Sequence, residues 1–505
     1  MFQKCILAIN ILVCLGSAYA QPPNYSEKHR PQFHFSQPAH WMNDPNGMVY
    51  YNGEYHLFYQ YYPDSTVWGP MHWGHAITKD LIHWQHLPIA LYPDSLGYIF
   101  SGSVVVDKNN SSGFQKGEEK PLVAIFTYHN MSGEKSGRTD FQTQGIAYSI
   151  DKGRTWKKYS NNPVIKNPGT KDFRDPKVMW HEGSKQWVLT LAVANKVQFY
   201  RSTDLKNWQL LGDFGMNQGN HGGVWECPDL FQLPTEDGKS SRWVLLVSVG
   251  SGAPNGGSGT QYFVGNFDGK VFTNAYSTKT VLWLDYGCDN YAGVTWSNAP
   301  GNRHLFLGWM SNWQYAQKVP TDKWRSAMTL PRELFLHKTS DGYTVITKPA
   351  KETESLRIRN SPVDFLSKKE HTYSLCELMV EFDLDKAGKD DFGIEINNAA
   401  NETVHIGYNR AKNNFYIDRS NCKDRSFSKE FPAIHYAPRL TTDKKVKMHL
   451  YIDKSSVELF ADDGSVVMTD IFFPSQDFNK IHAYSTGGTA PLTSGKLFEL
   501  KSVWH

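Results

Sequence analysis

The chain has 505 residues, 40% of them hydrophobic and 14% aromatic, with a formal charge of +3. That length is enough for more than one buried core, and the near-neutral balance gives no electrostatic case for nucleic acid or an anionic membrane as partner. The aromatic load, 16 Trp, 26 Tyr and 28 Phe, suits β-sheet packing first and stacking on sugar rings second.

In chain order, residues 1–20 read as a signal peptide. Lys4 gives a basic start, Ile6 to Leu15 is an apolar run, and Ala18-Tyr19-Ala20 is a small-x-small cleavage site before Gln21. The run is too short for a stable membrane anchor, and no later stretch approaches membrane length. A secreted, extracellular protein without membrane attachment is expected. Cys5 and Cys14 leave with the signal, so Cys227, Cys288, Cys376 and Cys422 face an oxidising compartment. A disulfide between Cys376 and Cys422 is expected, with Cys227 a free buried thiol. Glycosylation sequons begin at Asn24, Asn109, Asn110, Asn130 and Asn401, each implying a surface position.

Short β-rich runs follow at 47–51, 55–60, 103–106, 122–126 and 187–191, parted by turn formers such as Asn52-Gly53, Gly183-Ser184 and Asp268-Gly269. The pattern is all-β. A weak repeat runs through it: Thr78 to Trp84, Ser149 to Trp156 and Ser202 to Trp208 each carry a Ser or Thr, an Asp and a closing Trp. Such spacing suits propeller blades. Asp80, Asp151 and Asp204 therefore read as leaders of turns, with each Trp packed between blades. Past Lys348-Pro349-Ala350 the chain is more charged and keeps only Trp504. Alternating strands at 378–382, 446–452 and 457–460 fit a β-sandwich of about 150 residues. The expected division is a signal peptide at 1–20, a propeller at 21–348 and a sandwich at 349–505, packed together.

Three carboxylates stand out by context. Asp44 lies in Trp41-Met42-Asn43-Asp44-Pro45-Asn46-Gly47, a turn-rich run before a strand that can project a carboxylate. Asp175 follows Arg174 and precedes Pro176, and the guanidinium can hold a carboxylate ionised or bind a polar substrate. Glu226 sits among Trp225, Cys227 and Pro228, an apolar setting that could raise its pKa as a general acid requires. Taken singly, each also fits a plain structural part: a turn, a surface ion pair, an edge-strand carboxylate. Composition leaves the substrate open.

The run from Trp41 to Gly47 resembles the signature of glycoside hydrolase family 32, the invertases, inulinases and levanases. The resemblance extends to Phe100-Ser101-Gly102-Ser103, Arg174-Asp175-Pro176, Trp225-Glu226-Cys227-Pro228 and Asp289-Asn290-Tyr291-Ala292. It continues through 308–313 and Asp453-Lys454-Ser455-Ser456-Val457-Glu458-Leu459-Phe460. It implies a five-bladed β-propeller followed by a β-sandwich. It also implies a retaining β-fructofuranosidase acting on sucrose and on fructans, with a small sugar as its partner and no cofactor. Asp44 would be the nucleophile, Glu226 the acid/base and Asp175 a stabiliser of fructosyl hydroxyls. Asn43, Gln60, Trp68, Phe100, Ser101, Arg174, Tyr291, Trp309 and Trp313 would line the fructosyl pocket. Asn290 departs from the family, whose members often carry an aromatic there.

A retaining mechanism places the two reacting carboxyls about 5 to 5.5 Å apart. No metal is called for: the histidines lack tight ligand spacing, and His72 with His75 reads as packing and hydrogen bonding. A fructosyltransferase would use the same residues, and an exo-inulinase or levanase would differ in pocket depth. A related five-bladed glycosidase of arabinose or xylose polymers would more often invert, with wider carboxyl spacing. A non-catalytic sugar-binding protein would be expected to lack one of the three carboxylates.

Overall fold

The apolar runs pair with their chain neighbours. Glu54–Tyr62 returns along His40–Tyr51 across Asn52-Gly53, whose φ values of 50° and 86° are the left-handed backbone of a tight hairpin. In the computed structural model, which describes residues 25–504, this step is repeated through five sheets. They are built from strands within 40–91, 98–158, 173–214, 225–283 and 291–349. Trp324–Arg325 joins the first sheet in parallel beside His40 and Trp41, tying a late segment to the first strand. The first strands of successive sheets touch in order, and Tyr291–Thr295 returns to His40–Tyr51 to close the ring. The fold is a β-propeller followed by a β-sandwich, and Met131–Lys135 is the only α-helix among the described residues. No helix among them is long and apolar enough to cross a membrane.

The Asp–Trp repeat is a turn device. Asp80 accepts from the backbone N–H of Ile82 and His83, Asp204 from Lys206 and Asn207, and Asp151 from Thr155. Trp156 meets Phe58 of the preceding sheet edge-on at 5.3 Å, and Trp208 packs in a cluster that spans two sheets.

In the sandwich, one sheet holds Cys376–Asp383, Lys445–Ile452, Ser456–Ala461 and Val466–Ile471, and the other Phe392–Asn397, Thr403–Asn409, Asn414–Asn421 and Ile434–Pro438. Their inward residues, among them Leu378, Ile394, Ile406, Phe415 and Leu450, make one core. The expected Cys376–Cys422 disulfide is not formed: all four cysteines are buried free thiols. Cys376 opens a strand of one sheet and Cys422 follows a strand of the other, each packed as a small apolar residue in that core. Cys227 is a free buried thiol, as expected. The signal segment, Cys5, Cys14 and Asn24 lie outside the described residues. Of the remaining sequons, Asn109 and Asn401 are exposed while Asn110 and Asn130 are half-buried. Asn130 is engaged by capping Gly133.

Candidate active site

Each strand of the inner ring loses register at a candidate residue. The breaks fall at 42–45, 99–102, 226–229 and 291–294, and between Arg174 and Lys177 in the remaining strand. A bulge leaves one residue unpaired and turns its side chain away from the regular alternation. Asp175, Cys227 and Ala292 adopt φ of 65°, 45° and 53° there. Pro45, Pro176 and Pro228 follow Asp44, Asp175 and Cys227, residues with no N–H to leave unpaired in a broken ladder. Gly47, at φ 54°, lies in a second break of the first strand, between Asn46 and Val49. A Cβ on it would lie 2.6 Å from Phe58 and 2.9 Å from Trp73, so only glycine fits.

These bulges bring the three carboxylates to one end of the ring. Asp44 is held by Asn43 Nδ2 on Oδ1 at 3.0 Å and by Ser101 Oγ on Oδ2 at 2.6 Å. Asn43 is itself fixed by Trp41 Nε1 at 2.7 Å. The Cys227 Sγ lies 3.7 Å from both Asp44 Oδ2 and Asp175 Oδ2, so these two aspartates flank one thiol. Asp175 also accepts from the Cys227 N–H at 3.1 Å. Arg174 donates through Nε and Nη2 to Glu226 Oε1, at 3.0 and 2.9 Å, and through Nη1 to Asp172 at 2.6 Å. The Tyr291 hydroxyl donates to Glu226 Oε2.

The walls are aromatic. Trp309 and Trp313 lie 4.8 Å apart, and Trp41 is 6.1 and 5.9 Å from them. Trp68 stands edge-on to Phe100 at 6.0 Å, and Phe100 stacks on His129 at 4.2 Å. Gln60 is buried and joined to the group through Asn46 at 2.7 Å. Trp309 is fully buried, yet its Nε1 donor has no partner among the described residues. Such a donor is costly unless something completes it.

One expectation is corrected. The apolar surround of Glu226 does not hold at its carboxyl: Trp225 is fully buried against Phe263 and His221, while the carboxylate meets Arg174 and Tyr291. Strand alternation sends neighbours to opposite faces. Asp172, the second anchor of Arg174, was not singled out in the sequence: it lies before the strand that begins at Phe173 and adopts φ 58°, so no strand alternation marks it.

Burial pushes both Asp44 and Asp175 above the usual aspartate range. For Asp44, Ser101 pulls down and Glu226 pushes up. For Asp175, Arg174 pulls down while Glu226 and Asp44 push up. Arg174 stays charged, its pKa raised by the surrounding carboxylates in spite of burial. The site is thus an enclosed excess of negative charge with a single guanidinium. Such a site stabilises positive charge developing on a bound molecule.

His72 and His75 are engaged with the Pro70 carbonyl at 2.9 Å and with His56 at 3.1 Å. Three residues apart on a strand, they face opposite sides. Among the described residues, Cys288, His435 and Asp470 form a compact buried set of metal-type donors. Both His435 nitrogens are engaged there, Nδ1 with Asp470 at 2.7 Å and Nε2 with Cys288 Sγ at 3.2 Å.

Comparison with known proteins gives the family of the chain. The glycosyl hydrolases family 32 N-terminal domain matches residues 34–349, and the family 32 C-terminal domain matches residues 343–499. The chain is 48% identical to a levanase of Bacillus subtilis over 517 residues, covering all of this chain and 75% of the levanase. It is 39% identical to an extracellular exo-inulinase of Aspergillus awamori, covering 99% of both. The crystal structure of exo-inulinase from that fungus superposes with a TM-score of 0.87 at 38% identity, covering 95% of this chain and 100% of the other. A β-fructofuranosidase of Schwanniomyces occidentalis complexed with fructosyl-erythritol gives 0.85 at 34% identity, covering 95% and 99%.

Proposed function

The chain belongs to glycosyl hydrolases family 32, as a hydrolase of fructans or sucrose, and we propose that it releases terminal, non-reducing β-fructosyl units from fructan chains and from sucrose. The observation that carries this reading is the convergence of Asp44 and Asp175, which flank the Cys227 thiol, with Glu226, held by the Arg174 guanidinium, beside aromatic walls. Fructan chains stand beside sucrose as substrates because the relatives quoted above are named levanase and exo-inulinase. Secretion is part of the proposal, supported by the signal-like residues 1–20 and by the extracellular naming of the exo-inulinase.

Asp44, oriented by Asn43 and Ser101, attacks the anomeric carbon of the bound fructosyl unit. Glu226 gives its proton to the departing oxygen, with Arg174 and Tyr291 fixing the carboxyl. Positive charge that develops on the ring is met by the negative excess of the pocket. Asp175 and the free Trp309 N–H take ring hydroxyls. Water activated by Glu226 then opens the fructosyl–Asp44 ester, and two displacements return the β configuration. Incubation of the purified protein with sucrose, inulin and levan tests the reading. Free fructose released one unit at a time from chain ends is expected. Release of internal oligosaccharides, or of no fructose from any of the three, would overturn it.

A further inference from the structure

The outer face of the second sandwich sheet carries a row of residues that neither the core nor the pocket uses. Tyr436 pairs with Tyr416, Tyr416 with Gly407, Gly407 with Gly393, and Gly393 with Tyr484. Residues paired across strands share a face. Their chain neighbours Phe415, Ile417, Ile406 and Ile394 point the other way, into the core. The row therefore crosses five strands, about 19 Å at about 4.8 Å per strand.

The tyrosines lie down on this face. The Tyr484 and Tyr416 hydroxyls meet, and a Cβ on Gly407 would be 2.3 Å from the Tyr484 oxygen and 2.6 Å from Tyr416 Cζ. Both side chains thus reach over the glycine floor and are half-buried. Covering bare glycines stabilises a sheet, which accounts for Tyr416 and Tyr484. It does not account for Tyr436, which continues the row 6.3 Å from Tyr416 and covers no glycine. The exposed Lys412 reaches over it, at 5.1 Å, on a long stem that a ligand can displace.

One segment links the row to the pocket. Asn255 accepts from the Tyr436 N–H at 2.9 Å and donates to the Tyr436 carbonyl at 2.9 Å. Asn255 lies in the segment 250–258, which begins at Gly250 beside Glu226 and Tyr291 and ends at Ser258, whose hydroxyl accepts from the Trp313 N–H. We infer that Tyr436, Tyr416 and Tyr484 form a binding track for the distal part of a fructan chain whose end occupies the pocket. Flat aromatic faces stack on the C–H faces of sugar rings irrespective of charge, and the neighbouring His405–Glu395 pair supplies polar edges. The inference rests on the fructan-end reading above.

The test uses the full chain with Tyr436→Ala, Tyr436→Trp and Tyr484→Phe, assayed on high-mass levan, high-mass inulin and sucrose. Tyr436→Ala should raise KM for the polymers about tenfold, the scale of one aromatic stacking contact, and leave sucrose kinetics unchanged. Tyr436→Trp should restore polymer KM, and Tyr484→Phe, which keeps the ring, should retain it. Unchanged polymer kinetics in Tyr436→Ala overturn the track. A parallel loss on sucrose overturns it too, because it would mean that Tyr436 acts through Asn255 on the pocket. Either failure leaves sucrose hydrolysis by the wild type intact, whereas wild-type inactivity on all fructosides sinks the fructan-end reading itself.

Discussion

Two regions of this molecule bury carboxylates, and Glu458 of one is shifted in the opposite direction to Asp44 and Asp175 of the other. In the pocket, Arg174 serves Asp172 and Glu226, lies 3.9 Å from Asp175, and makes no pair with Asp44. At the seam between propeller and sandwich, Arg332 binds Asp285 and Glu458, and His34 sits between Asp453 and Glu458 at 2.8 Å from each. Arg419 reaches Asp289 at 2.6 Å. Burial raises the pKa of the pocket aspartates, and neither Ser101 at Asp44 nor Arg174 at Asp175 offsets it. At Glu458 burial also pushes up, but Arg332 and His34 outweigh it and hold the carboxyl low. Desolvation is common to both regions; two cationic partners reverse it at Glu458, whereas at Asp289 burial and Asp470 prevail over Arg419.

Exchanging the two regions' substitutions gives the largest contrast. Asp44→Asn should lower kcat by about 10⁴-fold or more and leave the thermal midpoint unchanged or raised, since it removes a buried, poorly paired charge. Arg332→Met should do the reverse. Leaving Asp285 and Glu458 uncompensated costs about 3–5 kcal/mol of stability, while the molecules that stay folded turn over normally. Paired melting curves and active-site-normalised kinetics measure both. If Asp44→Asn proved as unstable as Arg332→Met, the distinction would fail.

A second contrast is in pH. Burial pushes the His34 imidazole down, but Asp453 and Glu458 prevail and raise it to about 9. Its stabilising contribution is therefore full below about 6.5, its unfolded value, and is lost as pH rises through about 9. Melting between those limits should show a falling midpoint, and His34→Gln should flatten the slope. In the pocket, by contrast, the raised Asp44, as the proposed nucleophile, must be ionised to attack. The acid limb of kcat/KM should accordingly lie above the ordinary aspartate value of about 3.9, and an acid limb below it would contradict the burial of Asp44. The smallest effect belongs to the thiols. With Cys227, Cys288, Cys376 and Cys422 all free, dithiothreitol should not shift the midpoint, and a drop would reveal a disulfide.

The sequence exposes the pocket better than the seam. Asp44, Asp175 and Glu226 were legible because each sits in a bulge, and bulges need Gly47 and prolines that leave marks on a local stretch of chain. The Asp–Trp repeat was legible for the same local reason. The seam was not: His34 meets Asp453 across 419 positions and Arg332 meets Glu458 across 126. The segment 453–460 shows its part only when folded, where Asp453 also takes the Gln32 and Phe33 N–H groups and Glu458 that of Leu330. The disulfide expectation erred because counting cysteines carries no geometry. The environment of Glu226 was misread because sequence neighbours on a strand face opposite ways.

The proposed nucleophile is Asp44, the pocket carboxylate without a cationic partner. Glu226→Ala, incubated with an activated aryl fructoside, accumulates the first intermediate because the aryl group departs without a proton while the water-activating carboxylate is missing. Mass spectrometry of the digested variant should find one fructosyl unit on the peptide containing Asp44, lost on adding azide as fructosyl azide forms. A fructosyl unit on the Asp175 peptide instead, or rapid turnover with no adduct on any peptide, would contradict the account.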